Sequence, residues 1–259
     1  NCIIYLALLG DPEVPVGMHK TGGYNQTVKE LLEYFSNSLI NIIVITNKNN
    51  YLSNKCSQMA DNIKIIRIDF ENQWEYEQEL ILNNFEKIYN NVCDVIKSIK
   101  SDLNIYLIHS FYWLSGIIAS KIKKDFNIPF IHTVVSLSED KISAGIAPHV
   151  VRQKSIELYF LSKAEIIFAI TPQEMYTLIK KYNIPETNIY VVGRSVREDF
   201  FNVAQENKEL QNYDKKLAKL NFAYDNSWWV NGTFIYIGRI VEIKGIKQIV
   251  EAWIYAKKN

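Results

Sequence analysis

The residues with the clearest chemistry stand near the end of the chain, in FIYIGRIVEIKGIKQIVEAW. Gly238 and Arg239 fall at the end of a strand pattern, and Lys244 and Gly245 open a helix pattern. Two cations brought to a helix N-terminus suit a doubly charged phosphate, because free backbone N–H groups and the helix dipole already favour an anion there. A second glycine pair, Gly22 and Gly23, follows Thr21 and precedes Val28, Leu31, Leu32 and Phe35 at helical spacing. Glycines at that place let backbone come close to a ligand, although a plain turn reads equally well. His109 stands at a strand end in HSFYW. A histidine hydrogen-bonded to neighbouring backbone is the simpler account of it.

Other chemistries find no pattern. His19, His132 and His149 share no ligand spacing, and no paired-Asp motif occurs, so no metal is expected. Cys2, Cys56 and Cys93 read as reduced thiols of a cytoplasmic protein. No nucleophile elbow or Ser/His/Asp order is present, which leaves positioning and phosphate electrostatics to do any catalysis. The 29 Lys and Arg nearly cancel the 28 Asp and Glu, against a polybasic nucleic-acid or membrane-surface binder. The apolar run 3–9 is short and lacks a basic flank, unlike a leader peptide, and no run approaches a membrane span.

The elements that must position these residues alternate in type. Apolar runs at residues 2–9, 40–46, 63–68, 104–109, 129–134, 165–170 and 188–192 predict seven strands, with a polar loop before the third. Between them lie helix patterns over 75–99, from Ser115-Gly116 to about 126, over 150–162, and from Thr171-Pro172 onward. Thr171 reads as an N-cap and Pro172 as the first helical residue. Arg152 and Glu157 are five apart on one helix and read as solvated charges. Alternation of this kind predicts an α/β protein with a doubly wound, Rossmann-like parallel sheet. Ligands of such sheets bind beyond the carboxyl ends of the strands, where Gly22, Gly23, His109, Ser110, Ser136 and Thr171 all fall. The expected organisation is a first domain over 1–200, a linker rich in Asn, Lys and Gln over 201–232, and the first β-α unit of a second Rossmann-like domain over 233–259.

The order of motifs resembles the retaining glycosyltransferases of family 4, in the GT-B fold group that includes sucrose-phosphate synthase and many bacterial sugar transferases. Thr21-Gly22-Gly23 with Val28 and Glu30 is similar to the family's Gly-Gly loop and helix. IHSFYWLSG and TVVSLSEDK resemble its His-x-His-Tyr and Thr-x-His-Ser-Leu-Gly-x-x-Lys segments. Arg152, Glu157, Ala164-Glu165, Thr171, Glu174 and Tyr182 follow its Arg, Glu, Ala-Asp, Thr, Glu, Tyr series, and GRIVEIKG is similar to the Gly-Arg and Lys-Gly motif that opens its donor domain.

The resemblance implies a GT-B N-terminal domain on the acceptor side and a metal-independent, cofactor-free transfer of sugar from a nucleotide-diphosphate sugar to an acceptor, with retention. Arg239 and Lys244 would then be catalytic, gripping the diphosphate. Gly22, Gly23, His109, Ser136, Lys141, Arg152 and Gly238 would bind substrate or donor. The departures are Phe111 and Val135, where the family has histidines, and Arg194-Ser195-Val196-Arg197, where it has Pro-Gly-x-Asp. The family's Glu-x7-Glu segment would lie beyond Asn259, so the residues in hand are not expected to turn over alone. The alternative expectation is a catalytically silent GT-B-like protein that binds a sugar or a partner transferase.

Overall fold

The computed structural model describes residues 1–15, 17–18, 22–49, 51–52, 54–69, 78–145, 150–194, 236, 240 and 244–258. The chain divides into two compact units, Asn1–Ser195 and Val196–Asn259. The first holds one eight-stranded sheet. Its strands are β1 (Cys2–Ala7), β2 (Asn41–Asn47), β3 (Cys56–Ala60), β4 (Ile63–Ile68), β5 (Ile105–Phe111), β6 (Phe130–Thr133), β7 (Ile166–Ala169) and β8 (Ile189–Val191). Their order is β3-β4-β2-β1-β5-β6-β7-β8. Every neighbouring pair is parallel except β3 with β4.

The period of two along β1 builds both faces. Ile4 and Leu6 join a core with α3 (Phe85–Asp102), α4 (Tyr112–Phe126), α6 (Val151–Leu161) and α7 (Pro172–Tyr182). Tyr5 and Ala7 face the other way, into a core with Val28 and Leu32 of α1 (Gly23–Phe35). Both sets are almost fully buried, which is why these strands read as unbroken apolar runs. Two further short helices are α2 (Gln78–Asn83) and α5 (Ser138–Ser143).

Several expectations are corrected. The segment expected as a polar loop before the third strand contains β3, an antiparallel edge strand whose side chains are half-buried or exposed. Edge strands need little apolar surface, so CSQMA carries no strand signal. The long helix expected over 75–99 is α2 and α3, separated at Asn84. Helix α4 begins at Tyr112, earlier than Ser115. The Thr171 cap is present: its Oγ1 accepts from Glu174 N at 3.1 Å, with Pro172 opening α7. Asn127 and Asn183 end α4 and α7 in the left-handed region.

In the second unit, α8 (Ile246–Lys258) follows Lys244 and Gly245. Gly245 has φ +65°, a conformation that favours glycine at a helix entry. The linker over 201–232, Gly238, Arg239 and all but Tyr236 of the strand expected from residue 233 lie outside the described residues.

Candidate functional site

Strand β1 leads to β2 on one side of the sheet, and β5 leads to β6 on the other. The loops leaving the carboxyl ends of β1 and β5 therefore diverge and leave a crevice between them, the usual ligand position in an open α/β sheet. Tyr24, the second residue of α1, spans this crevice. Its ring stands over Gly10 in the loop just after β1, where a Cβ would come within 2.4 Å of it. Its hydroxyl donates to the Phe111 carbonyl at the end of β5, at 3.4 Å.

Gly22 and Gly23 flank the start of α1. Gly22 is its N-cap and is extended, with φ −177°, so the backbone there would accept any residue. No described heavy atom lies within 4 Å of where its Cβ would stand. Neither strain nor packing by the described residues therefore calls for glycine at 22. Arg194, beyond β8, brings Nη1 to 3.4 Å from the corresponding point on Gly23.

Across the crevice, Tyr112 opens α4 with φ +66°. For a bulky residue that conformation costs on the order of 1–3 kcal/mol and gathers at functional sites. Its ring is 6.3 Å from that of Tyr24. Lys141 Nζ donates to the Tyr112 hydroxyl at 3.2 Å and stands 5.5 Å above the ring centroid. In sequence Tyr112 lies inside the HSFYW motif with no role assigned to it. The signal available was its place directly after a strand end.

His109 does not face this crevice with a free ring. It is buried, with Nε2 2.7 Å from Thr133 Oγ1 and its ring stacked on Phe111 at 4.2 Å. His132 on the neighbouring strand pairs through Nδ1 with Ser110 Oγ at 2.9 Å. Burial pushes both imidazoles down to about 3, so both are neutral across ordinary pH. Phe111, where the resembling family has a histidine, is fully buried against Tyr5 and His109.

Two buried networks frame the crevice, and local spacing showed neither. On the β1 side, Arg67 of β4 donates from Nε to Asp11 Oδ2 at 2.6 Å, and also pairs with Glu13. Its Nη1 reaches Ser57 Oγ of β3 at 3.0 Å, and Asn49 Nδ2 meets Asp11 Oδ2 at 2.8 Å. Burial alone would lower the Arg67 pKa, but hydrogen bonds and charge from Asp11 and Glu13 outweigh it and raise it. These contacts fix the loop that leaves β1. On the β6 side, Glu157 is only 2% exposed and is not the solvated charge its helix position suggested. It accepts from Ser138 N, Ser138 Oγ, Gln153 Nε2 and Tyr182 hydroxyl at 3.0, 2.9, 2.7 and 2.6 Å. Glu174, at the start of α7, accepts from Ile170 N at 2.7 Å, and burial raises its pKa.

Of the other expected site residues, Ser136 is half-buried two positions before Ser138, and Arg152 is exposed on α6. Lys244 is exposed beside α8 in the second unit. Among the described residues no group of three or more His, Cys, Asp or Glu side chains is arranged to hold a metal ion, and no helix is long and apolar enough to cross a membrane.

No protein-family model matches the chain. In sequence it is similar to a D-inositol 3-phosphate glycosyltransferase of Arthrobacter sp. (strain FB24), 26% identical over 149 residues, covering 56% of this chain and 32% of that protein. It is also similar to a mannosylfructose-phosphate synthase of Agrobacterium fabrum, 20% identical over 209 residues, covering 76% of this chain and 43% of that protein. In structure it is similar to a sucrose-phosphate synthase of Thermosynechococcus elongatus, with a TM-score of 0.66 at 21% identity over 75% of this chain and 48% of that one. The matched spans thus cover less than half the length of these proteins.

Proposed function

We propose that this chain, a relative of the GT-B glycosyltransferases in fold and in sequence, is the acceptor-side part of an enzyme that moves a sugar from a nucleotide-diphosphate sugar to an acceptor, with retention and without a metal. The observation that carries this reading is the crevice between β1 and β5. On one wall it has a helix start whose Gly22 is required neither by strain nor by packing against the described residues. On the other it has a strained Tyr112 that holds the Lys141 ammonium.

In the reaction, the bond from the anomeric carbon to the diphosphate breaks and its electron pair leaves on the phosphate. An acceptor hydroxyl oxygen bonds to that carbon and passes its proton to the departing phosphate oxygen. Gly22 and Gly23 let the start of α1 close on the phosphates, and Arg239 and Lys244 neutralise the departing charge. The related proteins named above for inositol 3-phosphate, mannosylfructose phosphate and sucrose phosphate support an acceptor that bears a phosphate. The Lys141 ammonium is the group that would meet it, with Ser136 and Arg152 as further binding candidates.

The test is a screen of nucleotide sugars for hydrolysis and transfer by the full-length protein, with Arg239→Ala and Lys244→Ala as controls. Turnover by the wild type that falls by about a hundredfold in either variant is expected, the scale of removing one charge-stabilising donor. Turnover unchanged in both variants would contradict the assigned roles. A second reading, a silent sugar- or partner-binding subunit, is favoured by Phe111, whose burial leaves nothing polar at a position where the family has a histidine. Nucleoside-diphosphate binding without turnover by any donor would select it.

A further inference from the structure

Helix α5 has six residues, too few to stand alone, so outside contacts must set its place. Glu157 of α6 takes both the backbone N–H and the hydroxyl of Ser138, at 3.0 and 2.9 Å. Tyr182 of α7 donates to the same carboxylate at 2.6 Å, while its oxygen accepts from Glu139 N at 3.2 Å. Thr177 of α7 donates to Asp140 Oδ1 at 3.1 Å. Glu139 is drawn to Lys154 of α6 at 2.6 Å. Two residues further on, Lys141 meets α4, with Nζ 3.2 Å from the Tyr112 hydroxyl. Helix α5 therefore hangs from α6 and α7 and delivers a single ammonium to the crevice.

We propose that Glu157 and Tyr182 are positioning residues, which hold α5 in the one register that sets the Lys141 ammonium on Tyr112 to receive the anionic group of the acceptor. The inference rests on the glycosyltransferase reading for its ligand but not for its geometry. Glu157 has four donors and no cation within salt-bridge distance among the described residues. A buried carboxylate of that kind is tolerated only while its donors stay in place, so loss of one loosens the part that supplied the others. Tyr182→Phe removes one donor to Glu157 and the acceptor for Glu139 N, and keeps the ring in the core.

The test uses full-length protein with Tyr182→Phe, Lys141→Met and the double variant. Tyr182→Phe is expected to raise the acceptor KM about fivefold, the size of one hydrogen bond, with donor KM and kcat unchanged. In the Lys141→Met background it is expected to add nothing. An Ile96→Val variant, in the α3 core far along the chain from α5, controls for general loss of stability and is expected to leave acceptor KM alone. A readout that needs no activity is the rate of reductive methylation of the Lys141 amine, followed by mass spectrometry, which should rise in Tyr182→Phe. An equal KM effect with and without Lys141, or an unchanged methylation rate, would overturn the inference. If the wild type transfers no sugar, the functional reading fails, and the methylation rate still decides the positioning claim.

Discussion

The deepest anchors of the two walls of the crevice differ in kind. The loop leaving β1 is pinned by charge against charge, with the Arg67 guanidinium between Asp11 and Glu13. The segment after β6 is pinned by a buried carboxylate, Glu157, among neutral donors, with the Glu139–Lys154 ion pair beside it at 10% and 29% side-chain exposure. An ion pair needs only its two partners. A carboxylate satisfied by hydroxyl, amide and backbone N–H groups ties together every element that supplies one. The first arrangement fixes a loop; the second couples α5, α6 and α7, and so makes the position of Lys141 depend on residues that do not touch it.

Removing one partner from each network separates the two. Arg67→Ala leaves Asp11, almost fully buried, without its counter-charge. A loss of about 3–5 kcal/mol in urea unfolding is expected, the range for breaking a buried pair. Glu157→Gln keeps the shape but turns an amide N–H₂ toward groups that donate. It should cost about 1–3 kcal/mol, the penalty for buried groups left unsatisfied. If Arg67→Ala proved the milder of the two, the charge-paired description of the β1 wall would be wrong.

Acidity acts on the β5–β6 seam through His109 and His132. Their folded pKa of about 3 lies below the ordinary value of 6.5, so the unfolded chain takes up protons first. Stability is therefore whole above about pH 6.5 and falls as pH drops toward 3, by about 1.4 kcal/mol per pH unit for each histidine. Denaturant titrations at stepped pH should show this slope in the wild type and half of it in His132→Phe. An unaltered slope would remove His132 from the account. The smallest effect is expected at the edge of the β6 side. Thr171→Ala removes the α7 cap and should cost about 1 kcal/mol, read as a modest fall in Tm, without change in the Lys141 methylation rate.

Much of this fold was legible because burial writes itself into composition. Strands covered on both faces, such as β1 and β2, must be continuously apolar, and they read that way. What was hidden depends on partners distant in the chain. Asp11 and Arg67 are separated by 56 residues, and nothing near either marks the other. Glu157 looked like a surface charge because helical spacing reports neighbours on its own helix and not Ser138 or Tyr182. Helix α5 was missed since its place comes from those same contacts and not from its own pattern. The glycine pair was legible as a candidate, but only geometry shows that Gly22 is free of strain and of close packing by the described residues.

That freedom supplies the most direct test of the central claim, that the crevice at the start of α1 receives the donor. Gly22→Val in the full-length protein should cost no more than about 1 kcal/mol of stability, the scale of a poorer N-cap residue. It should lower kcat/KM for the nucleotide-sugar donor by more than about tenfold, because its side chain fills the space the phosphates need. A variant that is as stable as the wild type and equally active would contradict the account.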